Sequence, residues 1–283
     1  MTTPIGPPRL LASFTEAART TAEFWLLQAS YGALKAHTPD ADPRVILVLP
    51  GFGGGDITTH QLRRFLNDKG HQAYGWDGGV NTGPSGGVFK HVKDRLNQLT
   101  KTHQGQKVTV IGHSLGGIYA RELARAFPKK VEQVLTLGSP FGAGLHPQST
   151  HSLVRKAFEL INGKDNPFLH NLDLARQCLA PPPVPTTSIY SRSDGVVHWK
   201  TCLNPKQGQS ENVEVQGSHC GLVMNPLAFV VIADRLSQPA EAWHPFTPET
   251  YSSWLFRPDQ AHHAFEPPLM EKITKSRRID LFR

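Results

Sequence analysis

The sequence predicts an α/β protein built on a mostly parallel, doubly wound sheet, and three observations carry that expectation. Val45 to Leu49 is an uninterrupted β-branched and leucine run of strand length, the pattern of a strand covered on both faces, and Lys107 to Ile111 and Val131 to Leu137 are further β-branched segments of strand length. Segments with helical spacing of their apolar residues separate these runs. Glycine and proline punctuate the joins, at Pro50-Gly51, Gly70, Pro128 and Pro140. Parallel neighbours need crossover connections, so this rhythm puts helices on both faces of one sheet.

Taken in order, Thr15 to Lys35 reads as an amphipathic helix, with Ala17, Phe24, Leu27, Tyr31 and Leu34 on one stripe. It precedes the first strand, Val45 to Leu49. Thr58 to Lys69 follows as a helix carrying Leu62, Phe65 and Leu66 and ending at Gly70. The alternation continues with a short strand at His71 to Trp76, a helix at Val88 to His103 and a strand at Lys107 to Ile111. Next come a helix from Gly116 to Phe127, closed by Pro128, and the strand Val131 to Leu137. After Pro140 the rhythm breaks through Pro185, with a helical piece near Leu153 to Ile161, and this stretch reads as an insertion over the end of the sheet. Strands at Thr186 to Ser191 and Asn212 to Gln216 and a helix at Pro226 to Leu236 complete the body. The expected organisation is a helical extension over 1–40, a core over 41–238 with the insertion at 141–185, and a carboxy-terminal extension over 239–283 that wraps the body or moves freely.

Composition narrows the function classes. With 283 residues and 39% hydrophobic content the chain can bury a real core, which excludes disorder or a small disulfide scaffold as its basis. The apolar stretches fall short of the roughly 18 residues of a membrane span. A net charge of +7 favours anionic partners in general, but no Lys/Arg block interleaved with aromatics argues for nucleic acid. Near the amino terminus Glu16 and Arg19 interrupt the apolar stretch Leu10-Leu11-Ala12 before a signal-peptide core can form, so the expected location is cytoplasmic. The run Lys272 to Arg278 offers a contact to an anionic membrane surface, a solvated basic end being the plainer alternative.

The chemistry concentrates at Gly112-His113-Ser114-Leu115-Gly116, a G-x-S-x-G sequence between a buried strand and a helix. The glycines permit a turn too tight for Cβ atoms, and the helix start aims free N–H groups at the serine. A serine hydroxyl is a weak nucleophile at neutral pH and needs a base, itself oriented by a carboxylate. Asp194, in Ser193-Asp194-Gly195 after the strand at Thr186, is the candidate acid; Asp-Gly as a plain turn is the bland alternative. His219, in Gly217-Ser218-His219 after the last strand, is the candidate base, with His198 and His113 as rivals. For the developing oxyanion, the candidate donors are the backbone amides of Leu115 and of Phe52, in Pro50-Gly-Phe-Gly-Gly-Gly55; Pro50 has no N–H to give. A phosphate cradle on this glycine run fails, because Asp56 stands where G-x-G-x-x-G needs its third glycine.

With Leu49-Pro-Gly-Phe52, Gly112-His-Ser-Leu-Gly-Gly117, Leu137-Gly-Ser-Pro140, Ser193-Asp-Gly195 and Gly217-Ser-His219, the chain resembles bacterial α/β-hydrolases of the lipase/esterase type over about Val45 to Leu236. In that family the first oxyanion motif often has His where Pro50 stands. The resemblance implies the α/β-hydrolase fold and hydrolysis of carboxylic esters, including lipid esters, by a serine nucleophile with no metal or organic cofactor. It makes 141–185 a cap or lid, whose Leu153, Phe158, Leu160, Ile161, Phe168 and Leu169 are candidates for an acyl-chain wall, packing on the sheet being the alternative. Phe52, His113 and Trp76 are the candidate substrate contacts. A bridge between Cys202 and Cys220 would pin the base to the acid loop and is the expectation, two thiols being the alternative. Acyl transfer to an alcohol, or a non-catalytic interaction role on the same scaffold, are the rival functions. Product analysis with competing alcohols separates the first, and labelling of Ser114 the second. The ester, the chain length, the oligomeric state and lipase against soluble esterase stay open at this stage.

Overall fold

A computed structural model describes residues 5–143, 146–166, 168, 171–251, 256 and 279–282. Helices α1 (Leu10–Phe14) and α2 (Glu16–His37) lead into β1 (Val45–Leu49), α3 (His60–Asp68), β2 (Gln72–Gly75), α4 (Gly86–Thr102) and β3 (Val108–His113). Then follow α5 (Leu115–Ala126), β4 (Val131–Leu137), α6 (Ser152–Asn162), α7 (Leu172–Leu179), β5 (Thr186–Tyr190), β6 (Ser210–Glu214) and α8 (Pro226–Ser237). The six strands form one sheet in the order β2-β1-β3-β4-β5-β6, and every pairing in it is parallel. All strands therefore end at one edge of the sheet. The chain leaves β1 towards β2 and returns to β3 on the other side, so the reversal point lies between β1 and β3, where open α/β sheets gather their sites.

Alternation along β1 builds the two layers. Ile46 and Val48 point into one core, with Leu27 and Leu34 of α2, Phe65 of α3 and Phe229 of α8. Val45, Leu47 and Leu49 point into the other, with Val92 and Leu96 of α4 and Ile118 and Tyr119 of α5. The uninterrupted apolar runs of the sequence are thus strands with helices on both faces. Helix α7, a second helix within the insertion, packs Leu174 and Cys178 onto the second core.

The insertion is tied to the strand ends by backbone contacts. Thr150 and Val197 form an antiparallel bridge, and the His151 amide donates to the Val196 carbonyl at 2.7 Å. Fully buried Arg121 of α5 clamps the carboxy-terminal end of α7, donating to the carbonyls of Cys178, Leu179 and Ala180, while its guanidinium carbon lies 3.7 Å from the Phe141 ring centre. Of the carboxy-terminal extension, Phe246, Tyr251 and Phe256 pack on the first core and Phe282 on the second, between Phe89 and Phe127. The basic run Lys272 to Arg278 and the candidate wall residue Leu169 lie outside the described residues. Among the described residues, no helix is long and apolar enough to cross a membrane.

Cys202 and Cys220 are free thiols, against the expected bridge. Cys202 is buried against Tyr190 and Leu203, whereas Cys220 sits exposed on the base loop.

Candidate active site

β3 ends at His113 and α5 starts at Leu115, so Ser114 alone makes the turn. Its φ of 50° and ψ of −121° lie in a region that L residues rarely occupy, a strain of about 1–3 kcal/mol that close packing must hold. The flanking glycines explain how. A Cβ on Gly112 would overlap the backbone of Gly116 and Gly117, and one on Gly116 would overlap the carbonyls of Leu49 and Pro50. Strand β1, the elbow and α5 therefore meet backbone to backbone.

The other two candidates arrive from the loops after β5 and β6, two and three strands along the sheet from β3. Asp194, on the loop after β5, is 3% exposed, and its Oδ1 accepts the amides of Val196 and Val197, both at 2.8 Å. Its Oδ2 is thereby aimed at His219 Nδ1, 2.6 Å away. His219, 4% exposed on the loop after β6, places Nε2 3.0 Å from Ser114 Oγ. A carboxylate offers only acceptors, so Nδ1 carries the ring hydrogen and Nε2 presents its lone pair to the serine hydroxyl. Gly138, at the end of β4 with φ of 55°, leaves the space in which this pair meets: a Cβ there would come within 3.2 Å of His219 Nδ1 and 3.3 Å of Asp194 Oδ2.

Electrostatics favour a protonatable base. Burial lowers the His219 pKa, but the charge of Asp194, its hydrogen bond and the charge of Glu16 outweigh burial and set it above the ordinary 6.5. His113 behaves oppositely. Burial and the neighbouring His219 push it down to about 3, so it stays neutral, and its Nε2–H donates to the His219 carbonyl at 2.9 Å.

The loop after β1 lies beside the elbow. Neither the Phe52 amide nor the Leu115 amide has a hydrogen-bond acceptor among the described residues. The loop is held by Asn81, fully buried, which the sequence reading passed over. The Asn81 side chain donates to the Pro50 carbonyl at 2.9 Å, its backbone carbonyl accepts from Gly53 at 2.7 Å, and its amide donates to the Gly54 carbonyl at 2.7 Å.

A cavity of about 250 Å³ opens beside Ser114, with a mainly apolar wall from Leu115 and Ile118 of α5, Val154 and Phe158 of α6 and Leu174 of α7. Phe52 also lines it, its ring 5.3 Å from that of Phe158. Phe168 is in the wall too, but Leu153, Leu160 and Ile161 face outward and are exposed. Two candidate substrate contacts are corrected. Trp76 is buried in the second core, its indole N–H donating to the Gly79 carbonyl at 3.0 Å, away from the cavity lining. His113 lies behind the base and not in the cavity wall, because its ring is turned to the His219 backbone. The rival base His198 caps the turn Trp199–Cys202, its Nδ1 accepting the Lys200 amide. No group of three or more His, Cys, Asp or Glu side chains among the described residues is placed to hold a metal ion.

Serine, histidine and aspartate thus follow β3, β6 and β5 at one edge of a parallel sheet, and residues 44–165 match the family model of the alpha/beta hydrolase fold. The chain has the alpha/beta hydrolase fold. Similar solved structures include MGS-MChE2, an alpha/beta hydrolase enzyme from a sediment metagenome of the Mar Chica lagoon, Morocco, at 19% identity, covering 69% of this chain and 90% of that one, with a TM-score of 0.45. Lipase BlEst2 of Bacillus licheniformis is 15% identical, with coverage of 71% and 95% and a TM-score of 0.47. Est1E of Butyrivibrio proteoclasticus, with ferulic acid bound, is 11% identical, with coverage of 70% and 88% and a TM-score of 0.49. No match was found among curated protein sequences.

Proposed function

We propose that the protein hydrolyses carboxylic esters through an acyl-enzyme on Ser114. The observation that supports this most directly is the connected chain Asp194 Oδ2, His219 Nδ1, His219 Nε2 and Ser114 Oγ, with links of 2.6 and 3.0 Å, opening onto an apolar cavity.

As Ser114 Oγ bonds to the acyl carbon, its proton passes to His219 Nε2 and the carbonyl electron pair moves onto oxygen. Asp194 stabilises the imidazolium so formed. The amides of Phe52 and Leu115 receive the oxyanion, each such donor being worth about 3 kcal/mol in a fixed site. Collapse expels the alcohol oxygen, which takes the proton from Nε2. Water then repeats the sequence: it gives a proton to Nε2, attacks the acyl carbon, and Ser114 leaves with that proton while the carboxylic acid departs. The acyl chain occupies the cavity walled by Phe52, Ile118 and Phe158.

The test is a chain-length series of p-nitrophenyl esters, with fluorophosphonate labelling, on wild type and Ser114→Ala. Wild type is expected to turn over and to be labelled, and the variant to keep its fold while kcat falls by about ten-thousandfold or more. Equal hydrolysis by both proteins, or none by the wild type with an unlabelled serine, overturns the proposal.

A further inference from the structure

Helix α2 lies outside the segment that resembles a hydrolase, and its exposed neighbour positions Trp25 and Leu26 mark it as a surface helix. Its inward stripe changes character along its length. Leu27, Tyr31 and Leu34, in the later half, pack on the first core. In helical register with them, one to three turns earlier, stand Glu16, Thr20 and Glu23, and these reach the loops that carry Asp194 and His219.

Glu16 touches both loops at once. Its Oε2 accepts the amide of Gly195, next to Asp194, at 3.1 Å, and its Oε1 accepts the amide of Cys220, next to His219, at 2.9 Å. Arg19 steadies the carboxylate at 3.0 Å and donates to the Gly217 carbonyl at 3.2 Å. Glu23 Oε1 accepts the Ser218 amide at 2.6 Å, and Thr20 and Ser218 share a hydroxyl contact at 2.9 Å. Burial raises the Glu23 pKa, against hydrogen bonds from Ser218 and Asn225 and the charge of Arg19, which lower it. The loops are shaped around these groups: a Cβ on Gly195 would overlap the Ala12 carbonyl, and one on Gly221 would overlap the Glu23 carboxylate. Ser191 and Ser193 also join the acid loop to the base loop, but at Gly217, two residues before the imidazole. Glu16 grips the residues adjacent to Asp194 and His219 themselves.

We propose that α2 is a positioning element for the base and its acid, with Glu16 the positioning residue that fixes the Asp194–His219 geometry by holding the two loops in one carboxylate. This rests on the hydrolytic reading of the site. Two consequences separate it from simple packing. No α2 residue lines the cavity, so loss of Glu16 acts on kcat and spares KM. The Glu16 charge also favours the imidazolium, so its removal lowers the His219 titration. The titratable groups that act on that ring are Asp194, His113 and Glu16, of which Glu16 alone comes from α2.

The decisive comparison is Glu16→Gln, which keeps the length but offers one acceptor oxygen to two amides and no charge. In the full chain kcat is expected to fall roughly tenfold to a hundredfold, the scale of a small misplacement of reacting groups, with KM nearly unchanged. The His219 imidazole resonance should titrate at lower pH than in wild type. Glu16→Asp, shorter but charged, should lose kcat while leaving that titration nearer the wild-type value. Leu34→Ala, in the apolar half of the same helix, should lower Tm with kcat unchanged. A Glu16→Gln protein with wild-type kcat and unmoved His219 titration overturns the proposal, as does a Leu34→Ala protein whose kcat falls in step with its stability. The imidazole titration needs no turnover. If no ester is hydrolysed by the wild type, the hydrolytic reading fails alone, and a lowered His219 titration in Glu16→Gln still supports the positioning role while an unmoved one refutes it.

Discussion

The Asn81 side-chain amide donates to the carbonyl of Pro50 across 2.9 Å, while its side-chain oxygen takes the Gly83 amide and the Tyr119 hydroxyl, each at 3.2 Å. One buried side chain thereby fixes the turn that carries the Phe52 amide, the proposed oxyanion donor. Asn81→Ala removes the side-chain partner of the Pro50 carbonyl, the Gly83 amide and the Tyr119 hydroxyl, and a buried polar group left unpaired costs about 1–3 kcal/mol. A donor that wanders stabilises an oxyanion less. The expected result is a kcat lowered on the order of tenfold with a reduced Tm, read from steady-state kinetics and thermal unfolding. A variant with lowered Tm and unchanged kcat would remove Asn81 from the support of the oxyanion site.

The base sets a second expectation, in pH. His219 must be neutral to accept the Ser114 proton, and its pKa lies above the ordinary 6.5 because the Asp194 and Glu16 charges outweigh burial. The kcat/KM profile for a neutral ester should therefore rise with pH through a midpoint above 6.5. His113, held to about 3, adds no step to that limb. A midpoint below 6.5 would contradict the arrangement described for the pair.

Stability should depend on pH in the opposite range. Burial, then the charges of Arg44 and Lys69, push His71 down to about 4, and its Nδ1 accepts the Arg44 amide at 3.3 Å. The folded state keeps this ring neutral while the unfolded chain takes up a proton near 6.5. Its contribution is thus present above 6.5 and lost as pH falls towards 4, with buried His113 acting in the same direction. Urea unfolding at about pH 7 and about pH 5 should differ by on the order of 1–3 kcal/mol from this source. His71→Gln, which can still accept from Arg44, should remove the His71 share of the difference and leave that of His113. An equally steep loss in that variant would assign it to other groups.

The fold and the three candidate residues that the structure brings together are legible in the sequence because each announces itself locally. Val45–Leu49 is apolar without alternation since both faces of β1 are covered, and Gly112 and Gly116 flank a serine since no Cβ fits there. Asp194 and His219 were found because parallel connection puts every loop of one kind at one edge. What the sequence concealed depends on distant approach. Asn81 lies in a loop without periodicity, and nothing local says that its amide reaches Pro50. Glu16 and Glu23 keep the helical register of Leu27 and Leu34, but an apolar stripe analysis discards carboxylates, and Ala17, counted on the stripe, is exposed. Trp76 and His113 stand near strand ends, as substrate contacts do, yet their rings turn into the core and to the His219 carbonyl. Cys202 and Cys220 are near in loop order, but one is buried behind the acid loop while the other faces solvent. Helix α7 escaped because eight residues are too short for periodicity to emerge.

Helix α6 makes the last expectation, since its two faces differ. Val154 and Phe158 line the cavity, whereas Leu160 is 87% exposed on the outside of the same helix. Phe158, packed on Phe52 at 5.3 Å, closes the wall nearest the loop after β1. Phe158→Ala would lengthen the space open to an acyl chain, and each methylene bound in an apolar pocket is worth about 1–3 kcal/mol. The ratio of kcat/KM for long over short p-nitrophenyl esters should rise by roughly tenfold or more. Val154→Phe, filling the same space, should move the ratio the other way, and Leu160→Ala should leave it in place. If Leu160→Ala shifts the ratio as much as Phe158→Ala, selectivity belongs to the outer surface of the insertion, and the cavity beside Ser114 is not where the acyl chain is measured.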